Sequence, residues 1–274
     1  MPFTRVQDIR IYHEVRGDGE PLLMIAGYAD HAGHWFRQMP ALSRRYRAIT
    51  FDNRGAGRSD KPDVPYTMQM LADDAAGLLH TLGIDAAHIY GVSMGGMIAQ
   101  EFALSHPEMT ASLVLGCTSC GGAHLVMPDA EVLRVLMDED RMTSLTPAEA
   151  AREMFTYTCS EQFNRANPGV VEQYVATTAA HPAPLHGLKR QIEAIMTHDT
   201  HDRLPHLAAP TLVIAGTGDR LMPPANAELL ASRMPDAELI LLEGVGHGFW
   251  YEAVDEANEA IRGFIDRHPI SGRR

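Results

Sequence analysis

Residues 88–97 read HIYGVSMGGM and place one serine, Ser93, between Gly91 and Gly95. The apolar run from His88 to Val92 is typical of a β-strand, and the apolar residues after the serine have helical spacing. A serine on a sharp strand-to-helix turn projects its hydroxyl away from the backbone. The residues two before and two after it must be small, because the turn brings them close to neighbouring chain. The stretch therefore predicts a serine whose hydroxyl oxygen can attack a substrate.

The other interpretation of a bare G-x-S-x-G motif is a glycine-rich turn in which the serine only caps the helix. In this sequence a strand pattern precedes Ser93 and a helix pattern follows it. The N–H groups at the start of that helix have no partners within it and can stabilise negative charge that forms beside the serine. This setting favours the catalytic interpretation.

The length and the cysteine content predict a large protein from a reducing compartment. The 274 residues suffice for one large domain or for a domain with an insertion. Three cysteines are too few for a disulfide framework. The first ten residues, MPFTRVQDIR, lack the apolar stretch of a secretion signal, and the apolar runs are far shorter than the roughly 20 residues of a membrane span. We therefore expect a cytoplasmic protein that has no membrane partner.

The charge of the chain argues against nucleic acid as a partner. The formal net charge is -12, from 35 acidic and 23 basic residues. Binding to nucleic acid needs a basic face that neutralises phosphates and releases counterions. We therefore expect a small-molecule partner and no nucleic acid, whereas the oligomeric state stays open.

Short apolar runs alternate with helical patterns along most of the chain. The runs, several of them nearly continuous in Leu, Ile and Val, are residues 9–15, 22–27, 47–51, 88–92, 112–117, 211–215 and 238–242. Such continuous runs are typical of strands that are covered on both faces. Helical spacing between them, as in residues 71–82, completes a βαβ alternation. The pattern predicts an α/β fold with a mostly parallel sheet.

The alternation stops between residues 121 and 205. This stretch has helical patterns divided by proline and glycine turns, and the strand pattern resumes at Pro210. A helical insertion between two strands fits a cap over the carboxyl edge of the sheet, because such sheets bind ligands at that edge. We therefore predict a core of residues 1–120 and 206–274 and a helical cap of residues 121–205.

A serine hydroxyl is a weak nucleophile at neutral pH, so a catalytic Ser93 needs a histidine base and an acid that orients the base. Among the 14 histidines, His247 lies in the loop GVGHG just after the last predicted strand. Asp219 lies in the turn GTGD after the strand of residues 211–215, at the same edge of the sheet. The other plausible acid position, after Leu115, reads GCTS and holds no carboxylate. The order Ser93, Asp219, His247 is the one associated with a nucleophile elbow.

Two further groups could bind a metal or act in redox chemistry. Cys117 and Cys120 form a C-x-x-C pair, but no second pair accompanies it. The segment HDTHD at residues 198–202, with His206, contains potential ligands, yet zinc and calcium sites need more fully specified ligand sets. A polar linker from cap to core explains this segment, so we expect no metal.

These motifs together resemble the α/β-hydrolase superfamily. Within it the chain is similar to small capped serine esterases and lactonases such as 3-oxoadipate enol-lactonases, microbial carboxylesterases and cofactor-free haloperoxidase-like enzymes. The resemblance covers almost the whole chain and is carried by FDNRGAGRSD at residues 51–60, the elbow at 91–96, the acid turn at 216–219 with Pro223, and Gly246-His247. It implies the α/β-hydrolase fold with a mostly parallel eight-stranded sheet flanked by helices and a helical cap insertion. It also implies a catalytic triad of Ser93, Asp219 and His247 and no cofactor.

The resemblance further implies an oxyanion hole of two backbone N–H groups. One belongs to Met94, directly after the nucleophile, and position assigns the other to Tyr28 in the loop after the strand of residues 22–26. Such enzymes usually have His-Gly before this donor, whereas this chain has Ala26-Gly27. The difference costs little, because the donor is a backbone group. Two donors matter, since losing one removes roughly 3 to 4 kcal/mol of transition-state stabilisation.

The substrate class is less sharply specified. Residues 121–206 have five more acidic than basic residues, which favours neutral, moderately apolar esters over dicarboxylate-like lactones. We expect ester hydrolysis through an acyl-enzyme, with Met127, Met137, Met222 and Phe249 binding the substrate. A lactonase or a carbon–carbon bond hydrolase would use the same triad. A small-molecule receptor on the same fold is the alternative outside enzymes, and turnover of simple esters distinguishes the two.

Overall fold

The computed structural model describes residues 2–138 and 144–270. Residues 139–143 of the predicted cap, and residues 1 and 271–274 of the predicted core, lie outside that description. The strands are β1 (Phe3–Val6), β2 (Ile9–Arg16), β3 (Glu20–Ile25), β4 (Tyr46–Phe51), β5 (Ala87–Val92), β6 (Thr110–Gly116), β7 (Thr211–Gly216) and β8 (Ala237–Leu242). They form one sheet in the order β1-β2-β4-β3-β5-β6-β7-β8.

Helices cover the sheet and occupy the segment between β6 and β7. The α-helices are α1 (Met39–Leu42), α2 (Met68–Thr81), α3 (Met94–Ser105), α4 (Ala130–Met137), α5 (Pro147–Thr158), α6 (Glu161–Ala166), α7 (Pro168–Ala180), α8 (Leu185–Thr197), α9 (Ala225–Arg233), α10 (Phe249–Glu252) and α11 (Val254–Ile265). Helices α4 to α8 belong to the predicted cap. In the described residues, no helix has the length and apolar character needed to cross a membrane.

The strand pairing confirms a mostly parallel eight-stranded sheet. From β4 through β3 to β8, every neighbouring pair of strands is parallel, whereas β1 and β2 pair antiparallel at one edge. Strands β5, β6 and β7 are buried along their whole length. Their continuous apolar sequences are explained by the two hydrophobic clusters that cover the two faces of the sheet.

The apolar runs of the sequence did not predict strand β1. It has four residues and pairs only with β2, at the edge of the sheet. Phe3 and Arg5 are exposed, so the strand has no long alternation of buried and exposed residues. Short edge strands of this kind leave a weak pattern in the sequence.

Candidate active site

Ser93 lies on the turn between β5 and α3 with a strained backbone. Its φ of 55° and ψ of -124° lie outside the regions that non-glycine residues favour. A Cβ atom on Gly91 would clash with the carbonyl oxygen of Gly95, and one on Gly95 would clash with the carbonyl oxygen of Ile25. The two glycines therefore permit the close approach that this turn requires.

Asp219 and His247 form a hydrogen-bonded pair after β7 and β8. His247 Nδ1 lies 2.8 Å from Asp219 Oδ2. The second carboxylate oxygen, Oδ1, accepts hydrogen bonds from the backbone N–H groups of Leu221 at 2.9 Å and Met222 at 2.8 Å. Both side chains of the pair are buried. These contacts fix the carboxylate, which in turn orients the imidazole.

The charge of Asp219 also changes the proton affinity of His247. Burial disfavours the charged imidazole, but the adjacent carboxylate favours it more strongly, so the pKa of His247 lies well above its ordinary value. A histidine in this setting accepts a proton readily and is stabilised once it has done so.

Cys117 is a third buried group at this histidine. It follows β6, at the position where the sequence offers no carboxylate, and its Sγ lies 3.8 Å from His247 Nε2. No hydrogen bond joins that nitrogen to the Ser93 hydroxyl within residues 2–138 and 144–270. Burial raises the pKa of the Cys117 thiol despite the nearby imidazole. A neutral thiol is only a weak hydrogen-bond partner, so it competes weakly for Nε2.

Two clusters of side chains contain potential metal ligands. Cys117, Asp219 and His247 place potential ligand atoms within 4.8 Å of one another. The hydrogen bond of the pair already occupies His247 Nδ1, however, and a thiol must lose its proton to bind a metal. In the segment of residues 198–202, His198 lies 3.6 Å from Glu101 and His201 lies 2.9 Å from Asp202. That segment thus has ion-pair contacts, one of which joins the end of the predicted cap to α3.

The predicted oxyanion donors lie on either side of Ser93. Met94 is the first residue of α3, so its N–H has no partner within the helix. Tyr28 lies in the loop after β3, and a Cβ atom on the preceding Gly27 would lie only 3.2 Å from Ser93 Cβ. Within the described chain, no protein acceptor takes the Tyr28 N–H. Tyr28 and Met94 thus line the same cavity as Ser93, and their role as oxyanion donors stays a prediction.

A residue of α8 holds this loop in place. Ala29, which follows Tyr28 and has a φ of 62°, donates its N–H to Gln191 Oε1 at 3.0 Å. Gln191 Nε2 donates to the backbone oxygen of Arg54 at 2.9 Å. Gln191 is fully buried. A residue of the predicted cap therefore positions the loop that carries one predicted oxyanion donor.

Ser93, Met94, Tyr28 and His247 line one cavity of about 190 Å³. Most of the other lining side chains are aliphatic, aromatic or methionine and come from both the core and the helices between β6 and β7. They are Met97, Leu125, Met127, Leu133, Leu136, Met137, Met154, Tyr174, Ile192, Ile195, Met196, Leu221, Met222, Trp250 and Tyr251. Met127, Met137 and Met196 are also among the exposed apolar residues, which places them at the opening of the cavity.

Three of the four predicted substrate-binding residues, Met127, Met137 and Met222, line this cavity. Phe249 does not. It is fully buried, and its ring packs on Gly116, where an added Cβ atom would lie 2.8 Å from Phe249 Cζ. Successive residues of a helix point in different directions, so Trp250 and Tyr251 of α10 face the cavity where Phe249 was expected.

Comparison with known proteins identifies the family. The family model described as alpha/beta hydrolase fold matches residues 20–254, which is most of the chain. The chain belongs to this family. The prediction from the sequence motifs is therefore confirmed for the family and for the fold.

Individual relatives of this alpha/beta hydrolase cover nearly its whole length. The chain is 32% identical over 267 residues to "Putative carbamate hydrolase RutD" of Azorhizobium caulinodans, covering 96% of this chain and 98% of that protein. It is similar to the structure of a thermophilic esterase from Thermogutta terrifontis (TM-score 0.82, 29% identity, 98% of each chain). It is also similar to the structure of Est816, described as an N-acyl homoserine lactone degrading enzyme (TM-score 0.83, 29% identity, 96% and 100% coverage).

Sequence reasoning missed several residues of this hydrolase's site. Cys117 was considered only as half of a C-x-x-C pair, and neither Asp30 nor Gln191 was considered. Gln191 could have been noticed, because it is a polar residue at helical spacing from Gly187 and Ala194, with which it shares the buried face of α8. A lone aspartate in a loop, such as Asp30, leaves no comparable pattern.

Proposed function

We propose that this hydrolase cleaves carboxylic esters of small to medium, mainly apolar substrates, with Ser93 as the nucleophile. One observation carries the proposal. A strained serine, the histidine of a hydrogen-bonded Asp–His pair and two backbone N–H groups border the same largely apolar cavity. This set of groups is what acyl transfer through a covalent intermediate requires.

The proposed reaction proceeds in two halves. Ser93 Oγ attacks the carbonyl carbon while His247 Nε2 accepts the hydroxyl proton, and the N–H groups of Tyr28 and Met94 stabilise the resulting oxyanion. His247 then protonates the leaving alcohol, which gives the acyl-enzyme. A water molecule, deprotonated by His247, then attacks the acyl carbonyl carbon. The bond from that carbon to Ser93 Oγ breaks, His247 returns the proton to Oγ, and the carboxylic acid leaves. Throughout, Asp219 keeps the imidazole oriented and stabilises its charged form.

The first step requires His247 Nε2 to come within hydrogen-bond distance of Ser93 Oγ. In the structure this nitrogen lies 3.8 Å from Cys117 Sγ. Catalytic hydrogen bonds are often long before substrate binds and tighten in the complex. Because a thiol is a weak partner, only a small interaction is lost when the imidazole turns from Cys117 to Ser93.

The alternatives share this machinery and differ in the bond that is cleaved. A lactone is a cyclic ester, and the similarity to an N-acyl homoserine lactone degrading structure supports a lactonase. The name of the RutD relatives supports carbamate hydrolysis. A carbon–carbon bond hydrolase is the remaining alternative on the same triad. The apolar cavity favours simple esters over these polar substrates.

A matched substrate panel tests the proposal. Purified protein is assayed with p-nitrophenyl butyrate, a γ-lactone, an alkyl carbamate and a vinylogous diketone, and kcat/KM is compared. We expect the ester to be cleaved fastest and Ser93→Ala to lose that activity. Ser105→Ala, an exposed serine at the end of α3, serves as the matched control and should keep it. Faster cleavage of another class would replace the ester assignment, and no turnover of any class would favour a receptor.

A further inference from the structure

Asp30 places a carboxyl group in the cavity beside the proposed nucleophile. It follows Tyr28 and Ala29 in the loop after β3, and it lines the same cavity as Ser93. Among the residues that the structure describes, it is the only Asp, Glu, Lys or Arg in the cavity lining. A single carboxyl group in largely apolar surroundings suggests that it has a role in ligand selection.

In the described chain no Lys or Arg forms an ion pair with this carboxyl group, and the charge that His247 can carry is paired with Asp219. Asp30 Oδ1 lies 3.4 Å from His34 Nε2. That nitrogen also lies 3.0 Å from the hydroxyl oxygen of Thr178. Burial lowers the pKa of His34 to about 4. Burial, together with repulsion between the charged forms of the two rings, also lowers the pKa of His31 to about 4. Both imidazoles are therefore neutral at neutral pH.

Aromatic rings surround the same part of the cavity. Tyr174, Trp250 and Tyr251 line it together with Asp30. The Tyr174 ring packs edge-on against His34, the neighbour of Asp30, with ring centroids 5.2 Å apart, and the Tyr251 ring lies 5.8 Å from that of Tyr174. Aromatic faces attract organic cations, most strongly where water is excluded.

We propose that this part of the cavity, defined by Asp30, Tyr174, Trp250 and Tyr251, binds an alkylammonium group of the substrate. The Asp30 side chain is 16% exposed, and a carboxylate so far removed from water is unfavourable unless it is paired. An organic cation would complete the pair while its alkyl groups contact the rings. The inference rests on the proposed function, since it takes the substrate to be an ester. It adds that the preferred ester carries a positive charge away from the bond that is cleaved.

The proposal carries a defined pH dependence. Burial raises the pKa of Asp30 to about 7, although charge on His31 and His247 would oppose this. The carboxyl group is therefore neutral below about pH 7 and charged above it. His31 and His34 stay neutral across this range, and the tyrosines stay protonated. Preference for a cationic substrate should consequently increase as the pH rises through about 7.

Two pairs of isosteric esters test the proposal. The first pair is butyrylcholine and 3,3-dimethylbutyl butyrate, which differ only in a charged nitrogen that replaces a carbon of the alcohol. The second pair, ethyl 4-(trimethylammonio)butyrate and ethyl 5,5-dimethylhexanoate, places the same difference in the acyl group. The ratio of kcat/KM within a pair cancels the titration of His247, because both esters use the same base. The quaternary charge does not itself depend on pH.

We expect at least one pair to favour the cation by about tenfold at pH 8, with a smaller ratio at pH 6. Asp30→Asn should bring that ratio close to one. Asp18→Asn changes the net charge equally at an exposed position, so it controls for general attraction by the acidic protein and should keep the ratio. Ratios near one in both pairs, or a preference that Asp30→Asn leaves intact, would overturn the inference. If Asp30→Asn does not fold, the pH dependence of the wild-type ratio decides.

Binding measurements separate this inference from the proposed function. Ser93→Ala protein is titrated calorimetrically with butyrylcholine and with its neutral isostere. If the protein hydrolyses the neutral esters but neither hydrolysis nor binding favours the cations, the alkylammonium site is wrong and ester hydrolysis stands. If no ester is hydrolysed but Ser93→Ala binds butyrylcholine about tenfold more tightly than its isostere, ester hydrolysis is wrong and the site stands.

Discussion

Two aspartate–histidine pairs each contribute one residue to the lining of the same cavity, His247 and Asp30, and the pairs differ in their hydrogen bonds. Asp219 lies 2.8 Å from His247 and also accepts two backbone N–H groups. Asp30 lies 3.4 Å from His34, and no hydrogen bond to its carboxyl oxygens is found in the described residues. The first pair is thus fully hydrogen-bonded, whereas the second leaves a carboxyl group available to a ligand.

The two histidines accordingly differ in proton affinity. Burial disfavours the charged form of both, but the Asp219 carboxylate raises the pKa of His247 well above its ordinary value. The pKa of His34 instead falls to about 4, because burial outweighs its contacts. The same two residue types therefore give a strong base in one place and a weak base in the other. Hydrogen bonding to the carboxylate, more than residue type, decides the chemistry.

The largest effect is expected when the first pair is broken. Asp219→Asn removes the carboxylate that orients His247 and stabilises its imidazolium, so kcat on p-nitrophenyl butyrate should fall by roughly 10⁴-fold, the loss known for the serine-protease triad. The pKa of His247 should also fall, which moves the acidic limb of the pH–rate profile to lower pH. Steady-state kinetics across pH measure both effects, with Asp18→Asn as the control. Near wild-type kcat with an unchanged profile would mean that another group orients the base.

A smaller effect is expected at the loop that carries Tyr28 and Asp30. Gln191→Leu removes the acceptor of the Ala29 N–H, so the neighbouring oxyanion donor should lose its alignment and kcat should fall by about tenfold with little change in KM. Gln191→Glu keeps an oxygen acceptor for the Ala29 N–H but loses the donor to the Arg54 backbone oxygen, so it should recover only part of the activity. A purely structural role would instead lower the melting temperature of both variants without this difference between kcat and KM.

Breaking the second pair should stabilise the protein in a pH-dependent way. The pKa of Asp30 is about 7 when folded, against a reference value of 3.8, so the folded state binds more protons between these values and stability falls as pH rises through this window. Asp30→Asn removes that loss and should raise the free energy of unfolding by about 1–3 kcal/mol at pH 8. The gain should be smaller at pH 5. Urea unfolding at the two pH values measures it, and equal gains would contradict an elevated pKa.

The smallest effect on kcat/KM is expected from the apolar part of the cavity. Each methylene added to the acyl group of a p-nitrophenyl ester gains about 0.8 kcal/mol of burial until the cavity is full. We therefore expect kcat/KM to rise with short chains, to peak at short to medium length and then to drop. Met137→Ala, at the cavity opening, should move the peak to longer chains. A steady rise through long acyl chains, or a jump above the substrate's aggregation concentration, would indicate an open lipase-like site.

The sequence was sufficient to predict side-chain positions that depend on local structure. Ser93, Asp219 and His247 each follow a predicted strand in a short motif, and parallel strands bring their carboxyl ends to one edge of the sheet. The order of the motifs along the chain then placed all three at the same edge. The family and the mostly parallel sheet, both confirmed, could be predicted for the same reason.

Features that depend on long-range packing could not be predicted in this way. Gln191 and Ala29 are separated by 162 positions, and the setting of Asp30 exists only once α7 and α10 have packed around the loop. The prediction for Phe249 had a different weakness, because it named the right segment but not the direction of each side chain. Strand β1 was not singled out, since an edge strand of four residues leaves little pattern.

The most direct test is to identify the residue that reacts with an acylating or phosphonylating reagent. The protein is incubated with a fluorophosphonate, and intact-mass analysis is followed by peptide mapping. Wild-type protein should gain one adduct on Ser93, and Asp219→Asn should react far more slowly. Ser93→Ala should gain none, even though Cys117 also lies beside His247. An adduct on Cys117, or labelling that persists in Ser93→Ala, would contradict the assignment of Ser93 as the nucleophile.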